Sequence, residues 1–370
     1  MNKSMKILLI VLAVISVIAI VGIIILNHPC FGRRMSKERK ARIEASPNYR
    51  DGQFQNQIPT PQFTGDKSMF GALWEFLSES KKDRVPTEAV PAVKTDLKAL
   101  TVGPSTLRFT SGTAGSGTSG VSKDWLVWFG HSSCLFCLDG KRYLVDPVLK
   151  MEFPVSVMMH PFKGTDIYTP DDMPEIDVLI VTHEHWDHLD YATLRDLKDK
   201  VKHVVCPLGV AEYLEYWGYD PQSITEMDWH EKVDNITCLP TRHFSNRLFK
   251  RDQTLWASFM VESGGKKVYI GGDGGYDNRF KKIYKQFGSV DLALMENGQY
   301  NKDWANIHLM PKDLEQAILD LHPKQVFTVH HDKFSLAPHA WTEPDSVAHE
   351  IAERNAIRLL DQPIGTVVYY

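Results

Sequence analysis

The segment Thr182-His183-Glu184-His185-Trp186-Asp187-His188-Leu189-Asp190 constrains this chain more than any other. It follows Ile176-Asp177-Val178-Leu179-Ile180-Val181, a nearly continuous aliphatic run that reads as a buried strand. Three imidazoles and one carboxylate therefore crowd the end of a strand. Imidazole suits zinc-like ions, and aspartate adds a hard oxygen. On extended chain leaving the strand, His183 and His185 fall on one side and can share an ion. Asp187 and His188 come as the chain turns and can face a second ion. Such sites need further ligands, and these are expected where other strands end.

Three places supply them. His243 follows the strand-like run 236–240, in Pro240-Thr241-Arg242-His243-Phe244-Ser245. Asp273 stands in Gly271-Gly272-Asp273-Gly274-Gly275 after the run 267–270, where glycine lets the backbone approach a site closely. His330 and His331 follow the run 326–329, and strand alternation sends one of them inward without saying which.

Further strand-like runs lie at 125–129, 134–138, 141–145, 201–206, 257–262 and 292–295, and Asp139-Gly140 marks a hairpin turn. Helical patterns occupy 189–200, 210–217, 311–321 and 342–355. Hairpins come first and β-α alternation follows, the pattern of two packed sheets with helices outside. Cys134 and Cys137 form a lone C-x-x-C with no second pair, so they read as part of an apolar run rather than a thiolate site.

Residues 7–26 carry no charge and are mostly Ile, Val and Leu. At ~1.5 Å per residue this makes ~30 Å of helix, about one hydrocarbon core. A signal peptide has a shorter apolar region and a small-residue cleavage site. Lys3 and Lys6 precede the segment, and Arg33, Arg34, Lys37, Arg39, Lys40 and Arg42 follow it. A single-pass membrane helix with the C-terminal bulk in the cytoplasm is the expected arrangement. The basic cluster either attracts anionic lipid headgroups or serves only as a stop signal. Residues 43–100 are polar with scattered proline and read as an extended arm with one short helix at 69–78, and 111–120 reads as a Gly/Ser/Thr linker. The expected divisions are thus 1–30 (anchor with a short tail), 31–100 (basic segment and arm) and 101–370 (catalytic domain). With 42 basic against 46 acidic residues, the chain lacks a basic footprint, and no nucleic-acid partner is expected.

His183-x-His185-x-Asp187-His188, with His243, Asp273 and His330, resembles the metallo-β-lactamase superfamily over roughly residues 120–345. Trp128-Phe129-Gly130-His131-Ser132-Ser133 and Asp146-Pro147 are similar to the branch holding N-acyl-phosphatidylethanolamine phospholipase D and the ascorbate-6-phosphate lactonases. The segment Arg251-Asp252-Gln253-Thr254-Leu255-Trp256-Ala257-Ser258-Phe259 and His330-x-x-x-Phe334 resemble the phospholipase side.

The resemblance implies an α/β fold, an αββα sandwich of two mixed sheets flanked by helices. It implies two Zn2+ per chain: one on His183, His185 and His243, one on Asp187, His188 and His330, with Asp273 bridging. It prefers His330 to His331. The implied chemistry is hydrolysis of a phospholipid-like or other small phosphodiester or ester by a zinc-bound hydroxide. Asp187 would be a catalytic residue orienting the hydroxide, and His308 would stand at the acyl-amide part of the substrate. The alternatives are a lactonase-like hydrolase of a soluble metabolite and a non-catalytic metal scaffold. Where the branch reads His-Trp-Gly-Thr-Phe, this chain has His331-Asp332-Lys333 before Phe334, which alters the neighbouring wall. Of the remaining residues, Glu184 is expected to face solvent, Trp186 to pack, and Tyr300 and Trp304 to pack in the core or line an apolar cleft. His131 is expected either to line the site or to hold a turn.

Overall fold

The computed structural model describes residues 3–64, 71, 83–103, 124–247 and 251–370. The expected helix at 69–78 (Gly71 apart) and the linker at 111–120 lie outside these residues. The chain opens with α1 (Lys3–Leu26), of which no residue is buried and which is long and apolar enough to cross a bilayer by length and composition.

Two mixed sheets form the body. In the first, β3 (Trp125–Trp128), β4 (Cys134–Leu138), β5 (Lys141–Val145), β6 (Ile176–Ile180), β7 (Val201–Pro207), β8 (Ile224–Met227) and β15 (Val367–Tyr369) take the order β15-β3-β4-β5-β6-β7-β8. Pairing is antiparallel from β15 to β5 and parallel from β5 to β8. In the second, β9 (Lys232–Val233), β10 (Ile236–Leu239), β11 (Ser258–Ser263), β12 (Lys266–Ile270), β13 (Leu292–Glu296) and β14 (Val326–Val329) take the order β14-β13-β12-β11-β10-β9. Here β9 to β12 are antiparallel and β12 to β14 parallel.

Strand alternation sorts the apolar side chains into layers. Leu126, Trp128, Phe136, Val145 and Ile180 point between the sheets and meet Cys238, Phe259, Ile270 and Phe327. Their neighbours Trp125, Val127, Leu135 and Leu179 point outward, under α3 (Tyr191–Leu197) and α4 (Ala211–Tyr216). On the far side Met260, Tyr269, Ala293 and Met295 are covered by α5 (Arg279–Phe287), α6 (Pro311–Leu321) and α7 (Glu343–Asn355). Fully burying each such Leu, Phe or Met contributes about 1.5–3 kcal/mol. The expected αββα sandwich is the observed fold. Cys134 belongs to the inner layer and Cys137 to the outer one, so the C-x-x-C pair cannot share an ion, and all five cysteines are free and buried.

The arm is more structured than its composition suggests. It carries α2 (Lys37–Glu44), started by Ser36, whose Oγ accepts from the Arg39 N–H at 3.1 Å, and a hairpin of β1 (Tyr49–Arg50) and β2 (Gln53–Phe54). Ile43 and Phe54 are buried and join the inter-sheet core. Half of the basic cluster, Arg33, Arg39 and Arg42, contacts the domain. Arg39 Nη2 meets Glu215 at 2.6 Å and its Nε meets Glu226 at 3.0 Å, while Arg33 Nε meets Glu212 at 2.6 Å. Arg42 donates to the Glu226 carbonyl at 2.7 Å. Glu212 and Glu226 are buried, and a buried carboxylate needs a charged partner, which the arm supplies. Arg34, Lys37 and Lys40 remain exposed.

Candidate metal centre

Every ligand candidate lies where a strand meets a loop, at one end of the sandwich. His183, His185, Asp187 and His188 follow β6, His243 follows β10, Asp273 follows β12, and His330 follows β14. All are buried except His185, which is half-buried. The glycines around Asp273 are needed there. Gly272 has φ +58°, and a Cβ would stand 2.7 Å from the Ala257 carbonyl; at Gly274 it would stand 2.0 Å from Thr241 Oγ1. His330 itself takes a left-handed backbone, φ +78°, and its N–H donates to the His131 carbonyl at 2.9 Å.

The side chains converge in two sets. His185 Nδ1 lies 2.9 Å from His183 Nε2 and 3.1 Å from His243 Nε2. Nitrogens on one tetrahedral zinc stand about 3.3 Å apart. In the second set, Asp187 Oδ2 is 3.6 Å from His188 Nε2 and 3.4 Å from His330 Nε2. One oxygen stands between the sets: Asp273 Oδ2 is 3.9 Å from both His183 Nε2 and His243 Nε2, 3.3 Å from His188 Nε2 and 3.0 Å from His330 Nε2. Despite these distances, His188 Nε2 and His330 Nε2 are buried with no hydrogen-bond partner. Buried polar atoms that converge without bonding one another fit a cation placed among them.

The flanking groups fix each ring. Thr182 Oγ1 donates to Asp146 Oδ2 at 2.6 Å, so it can accept from His183 Nδ1, 3.0 Å away. His188 Nδ1 lies 2.8 Å from Asp146 Oδ2, and His243 Nδ1 donates to the Ile307 carbonyl at 2.8 Å. In all three rings the outer nitrogen holds the proton, leaving the Nε2 lone pair for a metal. Asp187 Oδ2 also accepts from His131 Nε2 at 2.8 Å. His308 Nδ1 donates to Glu296 Oε1, and its ring lies 5.2 Å from that of His243 and 5.5 Å from that of His330.

Charge is strongly partitioned among these groups. Burial opposes ionisation of Asp273, but His188 and His330 beside it hold its carboxyl well below the usual range. Burial likewise opposes ionisation of Asp187, yet His188 and His131 keep it low. Burial pushes His185 down to about 4, and burial with the nearby His330 pushes His131 down to about 3. His185 is thus neutral near pH 7, the form that ligates. At His188 and His330 burial is outweighed by the surrounding carboxylates, Asp273 foremost, which raise His188 and, to about 10, His330, so these two must give up a proton to ligate.

The structure sets His330 among the cluster and turns His331 away. The His331 ring packs 4.8 Å from that of Trp128, with Nε2 3.2 Å from Thr328 Oγ1. Glu184, expected in solvent, is buried and accepts from Tyr213 Oη at 2.9 Å. It points the opposite way from its ligand neighbours because side chains alternate along extended chain. Trp186 packs as expected, with the Arg247 guanidinium 4.0 Å above its ring. His131 lines the site. Tyr300 is buried and bonded to Asn297, while Trp304 lies with its ring 5.7 Å from that of His308. Asp146 and Glu296 were not assigned roles from sequence. The available signal was a carboxylate closing an otherwise apolar strand, as in Leu292-Ala293-Leu294-Met295-Glu296.

An αββα sandwich with two such ligand sets at one end defines a metal-dependent hydrolase class. The chain belongs to the metallo-β-lactamase superfamily: the family model described as β-lactamase superfamily domain matches residues 141–331. Within it, the chain's relatives include N-acyl-phosphatidylethanolamine-hydrolyzing phospholipases D. An uncharacterized protein of Mycobacterium tuberculosis, Rv0906, is 34% identical over 318 residues, covering 82% of this chain and 79% of that one. The N-acyl-phosphatidylethanolamine-hydrolyzing phospholipase D 1 of Caenorhabditis elegans is 31% identical over 199 residues, covering 48% of this chain and 54% of that one. Among solved structures, CmlA, a diiron β-hydroxylase from Streptomyces venezuelae, superposes with TM-score 0.52 at 16% identity, over 67% of this chain and 54% of that one. That last likeness is one of fold.

Proposed function

We propose that the chain is a membrane-anchored, zinc-dependent phosphodiesterase of the N-acyl-phosphatidylethanolamine phospholipase D type. The observation that carries the reading is the pair of ligand sets meeting at Asp273 Oδ2, 3.3 Å from His188 Nε2 and 3.0 Å from His330 Nε2. Similarity to the C. elegans phospholipase supports the substrate class. His183, His185 and His243 would hold one ion, Asp187, His188 and His330 the other, with Asp273 shared. When bound, a metal pair supplies a water nucleophile active near neutral pH and a Lewis acid for the attacked group.

The protein's own groups do the rest. Asp187, steadied by His131, offers its carboxylate to orient the attacking water. His308, held by Glu296, stands beside both ligand sets and is placed to hydrogen-bond the acyl-amide part of a substrate. α1 holds the domain at a bilayer, and the flanking charges favour the cytoplasmic face.

The test is the full-length protein, loaded with zinc, on vesicles containing N-acyl-phosphatidylethanolamine and, separately, on soluble lactone, thioester and β-lactam compounds. Release of phosphatidic acid and the N-acylethanolamine supports the reading. Lactone opening with untouched vesicles replaces it with the lactonase-like alternative.

A further inference from the structure

His243 stands outside any strand, so its peptide groups need partners other than a sheet neighbour. The arm provides them. Asn56 Nδ2 donates to the His243 carbonyl at 2.7 Å, and Asn56 Oδ1 accepts from the His243 N–H at 3.2 Å. One amide thus clamps both sides of the same residue across 187 positions of sequence. The clamp is itself fixed, because Trp256 Nε1 donates to the same Oδ1 at 3.1 Å. With its peptide held by Asn56 and its Nδ1 held by the Ile307 carbonyl, the His243 ring has both ends set. Neighbouring arm residues continue the contact. Arg242 Nε donates to Thr60 Oγ1 at 3.1 Å, and Asn306 Nδ2 donates to the Pro61 carbonyl at 3.1 Å. Together the arm from Arg50 to Thr60 and the wall of His243, Phe244, Arg251 and Trp256 enclose a cleft of about 420 Å³.

We propose that Asn56 is a positioning residue of the metal centre, and that the arm is thereby part of the active site rather than a tether. The proposal rests on His243 being a ligand. Loss of the clamp frees the 243 peptide to rotate, moving Nε2 away from His185 Nδ1. Groups that orient ligands typically account for ~10–100-fold in metal affinity.

The experiment compares the full chain with Asn56→Ala, Asn56→Asp and Asn48→Ala. Asn48 docks the arm elsewhere, through Asp228 at 2.8 Å, and controls for loosened docking. Asn56→Asp keeps the acceptor for His243 N–H and Trp256 but turns the donor into a carboxylate oxygen facing the His243 carbonyl, and as a near-isosteric variant it guards against a misfolded alanine variant. Each protein is titrated with a graded chelator after zinc loading and scanned for visible absorption after cobalt loading. We expect Asn56→Ala to release one of two ions at roughly tenfold lower chelator with an altered cobalt spectrum. Asn56→Asp should lose metal at least as readily, because its oxygen repels the His243 carbonyl, and Asn48→Ala should match the parent. The proposal is overturned if Asn56→Ala holds both ions as tightly as the parent, or if Asn48→Ala loses metal equally. A parent chain that takes up no metal at all overturns instead the functional reading beneath it.

Discussion

Asp146 Oδ2 lies 2.8 Å from His188 Nδ1 and accepts the Thr182 hydroxyl at 2.6 Å, so this one carboxylate orients His188 directly and His183 through Thr182. It also accepts the Thr182 backbone N–H at 2.8 Å. Asp146→Asn keeps the shape but turns an acceptor into a donor. The expected result is a ~10–100-fold loss of metal affinity, read as ions per chain under competition. Unchanged metal content would mean that the rings are held by other contacts.

His330→Ala should remove the ion shared by Asp187 and His188 and abolish turnover. His331→Ala should keep both ions, because its ring packs on Trp128 and faces Thr328. Elemental analysis separates the two variants. The reverse pattern would reassign the ligand.

Arg39 ties α2 to Glu212, Glu215 and Glu226, and its own side chain is 10% exposed. Arg39→Ala strands the buried Glu226 carboxylate, while Glu212 keeps Arg33, and removing one partner of a buried pair costs about 3–5 kcal/mol. The denaturant midpoint should fall and residues 31–62 should become open to protease. A midpoint equal to the parent's would show that the arm docks by Ile43 and Phe54 alone.

Lys333 is buried, and burial pushes its ammonium down to about 8 from the ordinary 10.5. Below pH 8 it is charged in both folded and unfolded chains, and above 10.5 it is neutral in both. Between these values the unfolded chain holds a proton that the folded chain has released. Stability therefore rises with pH through this window, by up to about 3 kcal/mol. Lys333→Met should flatten that rise, at the cost of the Nζ bonds to the Phe129 and Val148 carbonyls at 3.0 and 2.8 Å. Chemical denaturation of both proteins at pH 7.5 and 10 measures the difference, and parallel slopes would count against it.

The local pattern of the chain was enough to read the main strands, two packed sheets with helices outside, and the candidate ligand positions. Buried strands are continuous apolar runs, and a strand that ends in His or Asp delivers that residue to a sheet edge. The short strands β8, β9 and β15 were not legible. Segments such as Ile224-Thr225-Glu226-Met227 are too short and polar for a periodic signal, and form by pairing with a neighbour already in place.

What only the tertiary structure decided is direction and partnership. Alternation could not choose between His330 and His331 from residues alone, and family resemblance made that choice. The left-handed turn at His330 shows how the side chain reaches the cluster. Glu184 looked solvent-facing until Tyr213 and Arg247 closed over it. In the basic run after α1, Arg33 and Arg39 looked free until Glu212, Glu215 and Glu226 met them. Asn56 carries no local mark of its role, because its partner His243 is brought near only when the arm docks. Periodicity and composition are properties of neighbours in sequence, whereas a hydrogen bond across 187 residues is a property of the folded chain.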